Sequence, residues 1–422
     1  MNRRGTLTLA RILEASPPPT LGLGANWRQF ALLVAVNAFV GGMVGMERSV
    51  LPLLAGEEFG IASTTAAISF VATFGLAKAV ANLLAGSLSE SFTRRRVLIA
   101  GWLIAIPVPF VLIWAPSWYW IVAANALLGL NQGLCWSMTV NMKMDLAGPS
   151  RRGLALGLNE AAGYLSLAVA AYLTGVIAER YGLRPEPFYL GIVFVACGLA
   201  LSALFVRDTR SHVALEAENH APRVLAVSLR SAFIETTWKD RRLFGLSQAG
   251  FVNNLNDALA WGVFPLFFAS QGLSLARVGL LAAMYPLVWG GLQMGTGWLS
   301  DVAGRKPLIV GGMLLQAMAV SLVGLFDSFS GWLAAVSLLG AGTAMVYPVL
   351  LAAIGDVVHP SARATVLGVY RFWRDAGAMA GALAAGVIAD VMGFQASIQA
   401  VAAFTAASGV VAAATLQEGV KK

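Results

Sequence analysis

Residues 145–157 read DLAGPSRRGLALG, and residues 356–368 read DVVHPSARATVLG. Asp145, Pro149, Ser150, Arg152 and Gly157 of the first stretch recur as Asp356, Pro360, Ser361, Arg363 and Gly368 of the second, each pair 211 positions apart (356 minus 145). The same offset carries Gly86 onto Gly297. The chain is therefore read as two similar halves, and what each half is made of follows from the residues around these landmarks.

Of 422 residues, 58% are hydrophobic and only 12% charged, where a soluble domain carries about 25% charged residues. With a mean hydropathy of +0.73, the chain holds many runs of the roughly 20 apolar residues needed to cross a bilayer. These runs are about twice too long for barrel strands and lack their alternation, so the spans are helices. The fold class expected is an all-α polytopic membrane protein of about twelve transmembrane helices in two six-helix, pseudo-symmetric bundles.

Apolar runs place the first six spans near 29–54, 63–88, 97–115, 119–143, 153–178 and 188–206, and the second six near 243–269, 276–299, 308–326, 331–355, 364–389 and 395–416. The division is an N-terminal tail (1–28), a first bundle (29–206), a polar linker (207–242), a second bundle (243–416) and a short tail (417–422). The tail holds Arg3, Arg4, Arg11 and Pro17, Pro18 and Pro19 with no apolar core of a signal peptide directly after them. Arg94, Arg95, Arg96, Arg151, Arg152, Arg305, Lys306, Arg363, Lys421 and Lys422 all fall on the side of the termini, against Arg180, Arg184 and Arg277 opposite. The excess of positive charge makes both termini and the linker cytoplasmic, in the inner (plasma) membrane.

A net charge of +8 and a pI near 9.8 do not point to nucleic acid, because the basic residues lie in short loops rather than on one face. Cys135 and Cys197 sit inside apolar runs and read as core residues. His212, His220 and His359 have no metal-ligand spacing, and no phosphate loop for ATP is present. No cofactor and no enzymatic site are expected.

An ionisable side chain is costly in hydrocarbon unless it faces a partner or water. Spans three, six, nine and twelve hold none by these boundaries and are expected to face lipid. The others carry Glu47 and Arg48, Lys78, Glu160, Asp257, and Arg371, Arg374 and Asp375, which are expected to line a central polar cavity. Arg371, Arg374 and Asp375 share one helix face, with Glu160 and Tyr164 on the matching face one repeat earlier. Since 371 minus 160 is again 211, Glu160 is expected to face Arg371, or Arg374, either across the pathway or as a structural ion pair. Asn253, Asn254, Asn256 and Asp257 form a cluster too polar for lipid, and Asp257 and Glu160 are candidate proton carriers. Glu47 and Arg48 lie near a span end, where they either serve the pathway or snorkel to the interface. Trp136 and Tyr347, also 211 apart, and Tyr285 and Trp289, on one face of span eight, are candidate walls for a flat or amphipathic solute.

In the loop after span eight, Gly297, Leu299, Asp301, Gly304, Arg305 and Lys306 fall in the order G-x-L-x-D-x-x-G-R-K. This resembles the cytoplasmic motif of the major facilitator superfamily, and the resemblance extends over about Trp27 to Leu416. It implies a gating role for Asp301, Arg305 and Lys306. The first-half copy keeps Gly86, Leu88, Glu90, Arg94 and Arg95 but has Ser91 and Thr93 where the family has arginine and glycine. Gly129 stands where the family's fourth helix carries arginine before Gln132 and Gly133, and the stretch 157–163, GLNEAAG, lacks the fifth-helix antiporter pattern. The resemblance implies a secondary transporter working by alternating access, expected to be monomeric, proton-coupled and embedded in lipid, exporting a small organic solute, with anion uptake or a non-transporting sensor as alternatives.

Overall fold

The computed structural model describes residues 20–147, 152–218, 228–358 and 360–417, which are helices and their connecting turns. Arg3, Arg4, Arg11, Pro17, Pro18, Pro19, Arg151, His220, His359, Lys421 and Lys422 lie outside the described residues, as do the side chains of Glu90, Arg152 and Arg363. Twelve long helices are described: α1 Trp27–Glu57, α2 Ser69–Ser91, α3 Arg94–Trp114, α4 Trp118–Ala147, α5 Arg152–Tyr181, α6 Tyr189–Leu204, α7 (241–270), α8 Leu275–Ala303, α9 Arg305–Leu325, α10 Phe329–Val357, α11 Pro360–Met392 and α12 Phe394–Thr415. Nine stretches among the described residues, in α1, α3, α5, α6 and α8 to α12, are long and apolar enough to cross a membrane.

Prolines interrupt three spans. α1 breaks at Ser49 and Val50 ahead of Pro52, α3 at Ile106 ahead of Pro107, and α7 widens into a π-helical turn, Leu259–Val263, ahead of Pro265. In each case the ring removes the amide that would bond four residues back. Two of the shifted boundaries bring charge into a span. Thr93 caps α3 by accepting the Arg96 N–H at 3.2 Å, and Gly304, at φ +96°, ends α8 so that α9 starts at Arg305. Spans three and nine therefore carry charge in their first turns, contrary to expectation, and are uncharged beyond them.

Within the first half α1 packs on α5 and α2 on α4; in the second, α7 packs on α11 and α8 on α10. Glycine permits the close approach. A Cβ on Gly129 of α4 would stand 2.5 Å from the Phe74 carbonyl oxygen, and one on Gly340 of α10 would stand 2.6 Å from that of Tyr285. Both the glycines and their carbonyl partners are 211 residues apart, so the duplication is visible in atomic contacts. Gly129 also shows why the family arginine is absent: α2 backbone fills that space. The helices α3, α6, α9 and α12 are peripheral and turn Leu103, Val193, Leu314 and Val410 outward, as lipid-facing helices do.

The halves meet along two seams, α5 against α8 and α2 against α11. At the end away from the termini the seams are tight: a Cβ on Gly175 would lie 2.8 Å from the Gly279 Cα, and one on Gly386 would lie 2.7 Å from the Thr65 Cα. At the terminal end they part. Gly290 still lies against Tyr164, but two turns on Gly297 has open space where a Cβ would go, and so does Gly368 of α11. The first and last described stretches lie at that open end, where the Gly22 N–H donates to the Leu146 carbonyl at 2.9 Å and Arg241 Nη2 to the Ala414 carbonyl at 3.3 Å.

Candidate transport site

Between the seams, at mid-depth, lies a cavity walled by both halves. Its polar part starts on α7, whose four polar residues divide by helix geometry. Asn253 and Asn256, three apart, turn into the second bundle, where both amides donate to Gln316 Oε1 (3.3 and 2.9 Å) and Thr405 donates to Asn256 Oδ1 at 2.8 Å. Asn254 and Asp257, also three apart, line the cavity instead. The sequence reading treats this cluster as one group; only half of it reaches the pathway.

Asp257 accepts a hydrogen bond from the Tyr285 hydroxyl and lies 3.6 Å from Arg374 Nη2. Arg374 also bonds Asp375 Oδ1 at 3.2 Å, and Lys78 from the other half stands 3.5 Å from the same oxygen. Asn82 of α2 donates to Asp375 Oδ2 and accepts from Ser137 Oγ at 2.8 Å. Asp257, Arg374 and Asp375 are 1%, 4% and 2% exposed, so this is a buried network of two carboxylates and two cations. Removing one member would leave its partner charged and unpaired in a medium that cannot solvate it.

Aromatic rings enclose the network. Tyr164 of α5 and Trp289 of α8 meet across the seam with ring centroids 3.6 Å apart, Trp136 lies 5.3 Å from Tyr164, and Tyr347 lies 5.6 Å from Trp289. Arg374 sits 4.3 Å over the Tyr347 ring, and Lys78 lies 5.9 Å from the Trp136 centroid. The protein's own cations thus occupy aromatic faces, an arrangement that holds charge in a low-dielectric site.

The expected pairing of Glu160 with Arg371 or Arg374 is not what the structure brings together. Glu160 accepts from Trp136 Nε1 at 2.9 Å, Asn159 Nδ2 at 3.0 Å and the Tyr347 hydroxyl at 3.4 Å, and no ion pair among the described residues joins it to either arginine. Repeat-related residues stand on opposite sides of the pseudo-two-fold axis. A shared offset therefore puts the cavity between them, while the Arg374 guanidinium is taken up by Asp257 and Asp375. Arg371 is half-buried.

Glu47 and Arg48 do not snorkel. Both are fully buried, and beyond the break α1 continues through Pro52 as Leu51–Glu57, so neither stands at a span end. The Arg48 guanidinium lies 4.8 Å over Phe74 and 4.9 Å over Trp261 of the opposite half, and none of its nitrogens has a hydrogen-bond partner among the described residues. Lys143 of α4 is also fully buried, with no hydrogen-bond partner for Nζ. Sequence reasoning missed Lys143, at the edge of an apolar run, and the neutral Asn82 and Trp261.

The profile of the Major Facilitator Superfamily matches residues 30–250 and again 246–421. The chain belongs to this superfamily. It is 28% identical to the MFS-type transporter YddS of Bacillus subtilis over 85% of this chain and 84% of that one. It is 32% identical to the inner membrane transport protein YnfM of Escherichia coli over 35% of this chain, a match that spans 36% of that relative's length. With the multidrug resistance protein MdtG of Enterobacter lignolyticus it shares 28% identity over 49% of this chain and 50% of that one. Its fold is also that of a POT family transporter solved with a thioalcohol-conjugated peptide, with a TM-score of 0.74, 14% identity, and coverage of 91% of this chain and 95% of that one.

In this superfamily member both copies of the motif make the same pair. Arg305 bonds Asp301 at 2.6 Å and Asp356 at 3.0 Å; Arg94, 211 residues earlier, is paired with Asp145, 211 before Asp356. The substitutions at Ser91 and Thr93 leave that latch in place. Near it the start of the linker docks on the first half: Asp208 accepts the Arg95 N–H at 3.2 Å, and Arg94 Nη1 donates to Thr209 Oγ1 at 3.3 Å. Lys306 is half-buried, and Gly86 lies within α2.

Proposed function

We propose that this transporter exports a small amphipathic organic solute from the cytoplasm in exchange for protons, and that the conformation described is open toward the cytoplasm. The reading is carried by one observation: an aromatic-walled cavity between the halves, with tight seams at one end and parted seams at the other. Rocking the halves about such a cavity exposes it alternately to the two sides. The positive charge on the terminal side supports the assignment of that side as cytoplasmic, and the names of the multidrug resistance relatives support export.

Asp257 and Glu160 are the coupling carboxylates in this proposal. Each is buried beside groups that respond to its charge: Arg374 and Tyr285 around Asp257, Trp136 and Tyr347 around Glu160. A proton on Asp257 would release Arg374 to Asp375 alone and loosen the network that meets Lys78 across the seam. Binding of the solute among the rings and proton uptake are thereby competing events in one cavity. Anion uptake is less well supported, since Lys78 and Arg374 are already paired with carboxylates. Glu90, Asp301, Arg305 and Lys306 serve as the cytoplasmic gating group.

The test is a screen of labelled solutes for flux into proteoliposomes under an imposed pH gradient, with wild type, Asp257→Asn, Glu160→Gln and Arg371→Ala. Wild type is expected to move the solute faster with the gradient, and Asp257→Asn to lose that acceleration. A confirmed solute whose flux ignores the gradient and both carboxylate variants would overturn the coupling assignment.

A further inference from the structure

Residues 175–179 read GVIAE and residues 386–390 read GVIAD, again 211 apart (386 minus 175). Both stretches lie in the last turns of helices that border a seam, α5 and α11, at the end away from the termini. In each, the glycine brings the helix against the backbone of the opposite half: Gly175 against Gly279, and Gly386 against Thr65. One turn later, Glu179 reaches the first turn of α8, and Asp390 reaches the short helical turn Thr64–Ala67 that leads into α2. Glu179 Oε2 accepts the Ala276 N–H at 2.6 Å. Asp390 accepts the Thr64 N–H, the Thr65 N–H at 3.0 Å, Thr65 Oγ1 at 2.6 Å and Ser63 Oγ at 2.7 Å. The receiving positions obey the same offset, since Ala276 is 211 after Thr65.

We infer that Glu179 and Asp390 are a matched pair of gate residues, each capping a helix of the opposite half and together holding the outer mouth shut. The first amides of a helix have no partner within it and carry its positive end, so an anion there supplies what the helix itself lacks. Because these caps are contributed in trans, they exist only while the halves are in contact at this end. Glu179 and Asp390 are both exposed. Water can therefore replace the carboxylate when the mouth opens, and the contact breaks without stranding a charge in oil. A buried ion pair between the halves at this place would not release in that way. The caps are unequal: Asp390 holds two backbone amides and two hydroxyls, whereas Glu179 holds the Ala276 amide with the Ser274 hydroxyl beside it.

This inference rests on the alternating-access reading, and spin-label distances test it without any solute. Tyr119 at the start of α4 and Ser330 at the start of α10 are exposed, lie in opposite halves at this end, and are again 211 apart. Nitroxides at Tyr119→Cys and Ser330→Cys, in a Cys135→Ala, Cys197→Ala background, report the mouth in detergent or nanodiscs by double electron–electron resonance. The parent is expected to show chiefly one short distance. Glu179→Gln with Asp390→Asn is expected to raise the long-distance fraction about tenfold, with Asp390→Asn alone the larger single effect. Thr65→Val, a milder change that removes one donor, is expected to move the distribution the same way. A monodisperse, folded double variant with the parent's distribution would overturn the capping role. If that variant does not fold, a Thr65→Val distribution equal to the parent's overturns it instead. A parent that carries flux but shows one unchanging distance at every pH and with solute would overturn the alternating-access reading itself.

Discussion

Alanine in place of glycine should have opposite effects at two sets of repeat-related positions. At Gly129 and Gly340 a Cβ would stand 2.5 and 2.6 Å from carbonyl oxygens of α2 and α8, and backbone cannot rotate out of the way. Restoring ordinary van der Waals distance needs the helices to separate by about 1 Å. Overpacking of this kind costs about 1–3 kcal/mol, set against about 1 kcal/mol of helix propensity gained on losing glycine. At Gly297 and Gly368, among the described residues, no atom beyond the helix's own backbone lies within 4 Å of where a Cβ would go, so only the propensity gain remains, up to about 1 kcal/mol. The apparent unfolding temperature of purified protein in detergent is expected to fall for Gly129→Ala and Gly340→Ala, and to hold or rise for Gly297→Ala and Gly368→Ala. Leucine at 297 or 368 should keep the fold but block flux, because in the proposed alternating access those faces meet when the open end closes. A shift of the same sign at all four positions would refute both the packing argument and the assignment of the open end.

Two further predictions separate stability from transport. Glu47→Leu with Arg48→Met replaces two adjacent buried ionisable side chains by apolar ones, a change that often leaves a fold neutral or stabilised by about 1–4 kcal/mol; thermal unfolding should be unchanged or later while flux is lost, and a large destabilisation would show the two to be structural. Asp375→Asn removes the anion shared by Lys78 and Arg374 and should cost about 3–5 kcal/mol in the same measurement, with Asp375→Glu recovering part of it; an Asn variant as stable as wild type would mean that the pairing carries no weight.

Much of the architecture was legible because oil makes strong demands. Long apolar runs are unambiguous as spans, and the 211-residue offset divides them into two halves without any structure. Charges in α7 and α11 were found because a charge there is rare and therefore informative. Asn82 escaped notice because neutral polar residues are common in helices and carry little signal, and Lys143 because it stands where an apolar run ends. The Glu160–Arg371 pairing failed for a geometric reason: an offset identifies equivalent positions, whereas contact requires positions that face each other, such as Tyr164 with Trp289 or Lys78 with Asp375. The GVIAE and GVIAD stretches obey the same offset as the landmarks that open the sequence reading. Their meaning lies in what they touch, which only the folded chain shows.

The placement of the polar contacts also bears on how the two states stay close in energy, as a carrier requires. Arg94 with Asp145, and Arg305 with Asp356, lie inside one half each and can persist as the halves rock. Glu179 with Ala276, and Asp390 with Ser63 to Thr65, cross between halves at the rim, where movement is largest, and are exposed to water that can replace them. Lys78 and Asn82 with Asp375 also cross between halves; Asp375 is buried and the other two are half-buried, so breaking these contacts would leave a buried carboxylate short of partners, which is costly. They lie on the α2–α11 seam at mid-depth, close to the axis about which the halves turn, where rocking displaces atoms least. Contacts that would be expensive to break thus sit where they need not break, and contacts that must break sit where water takes their place.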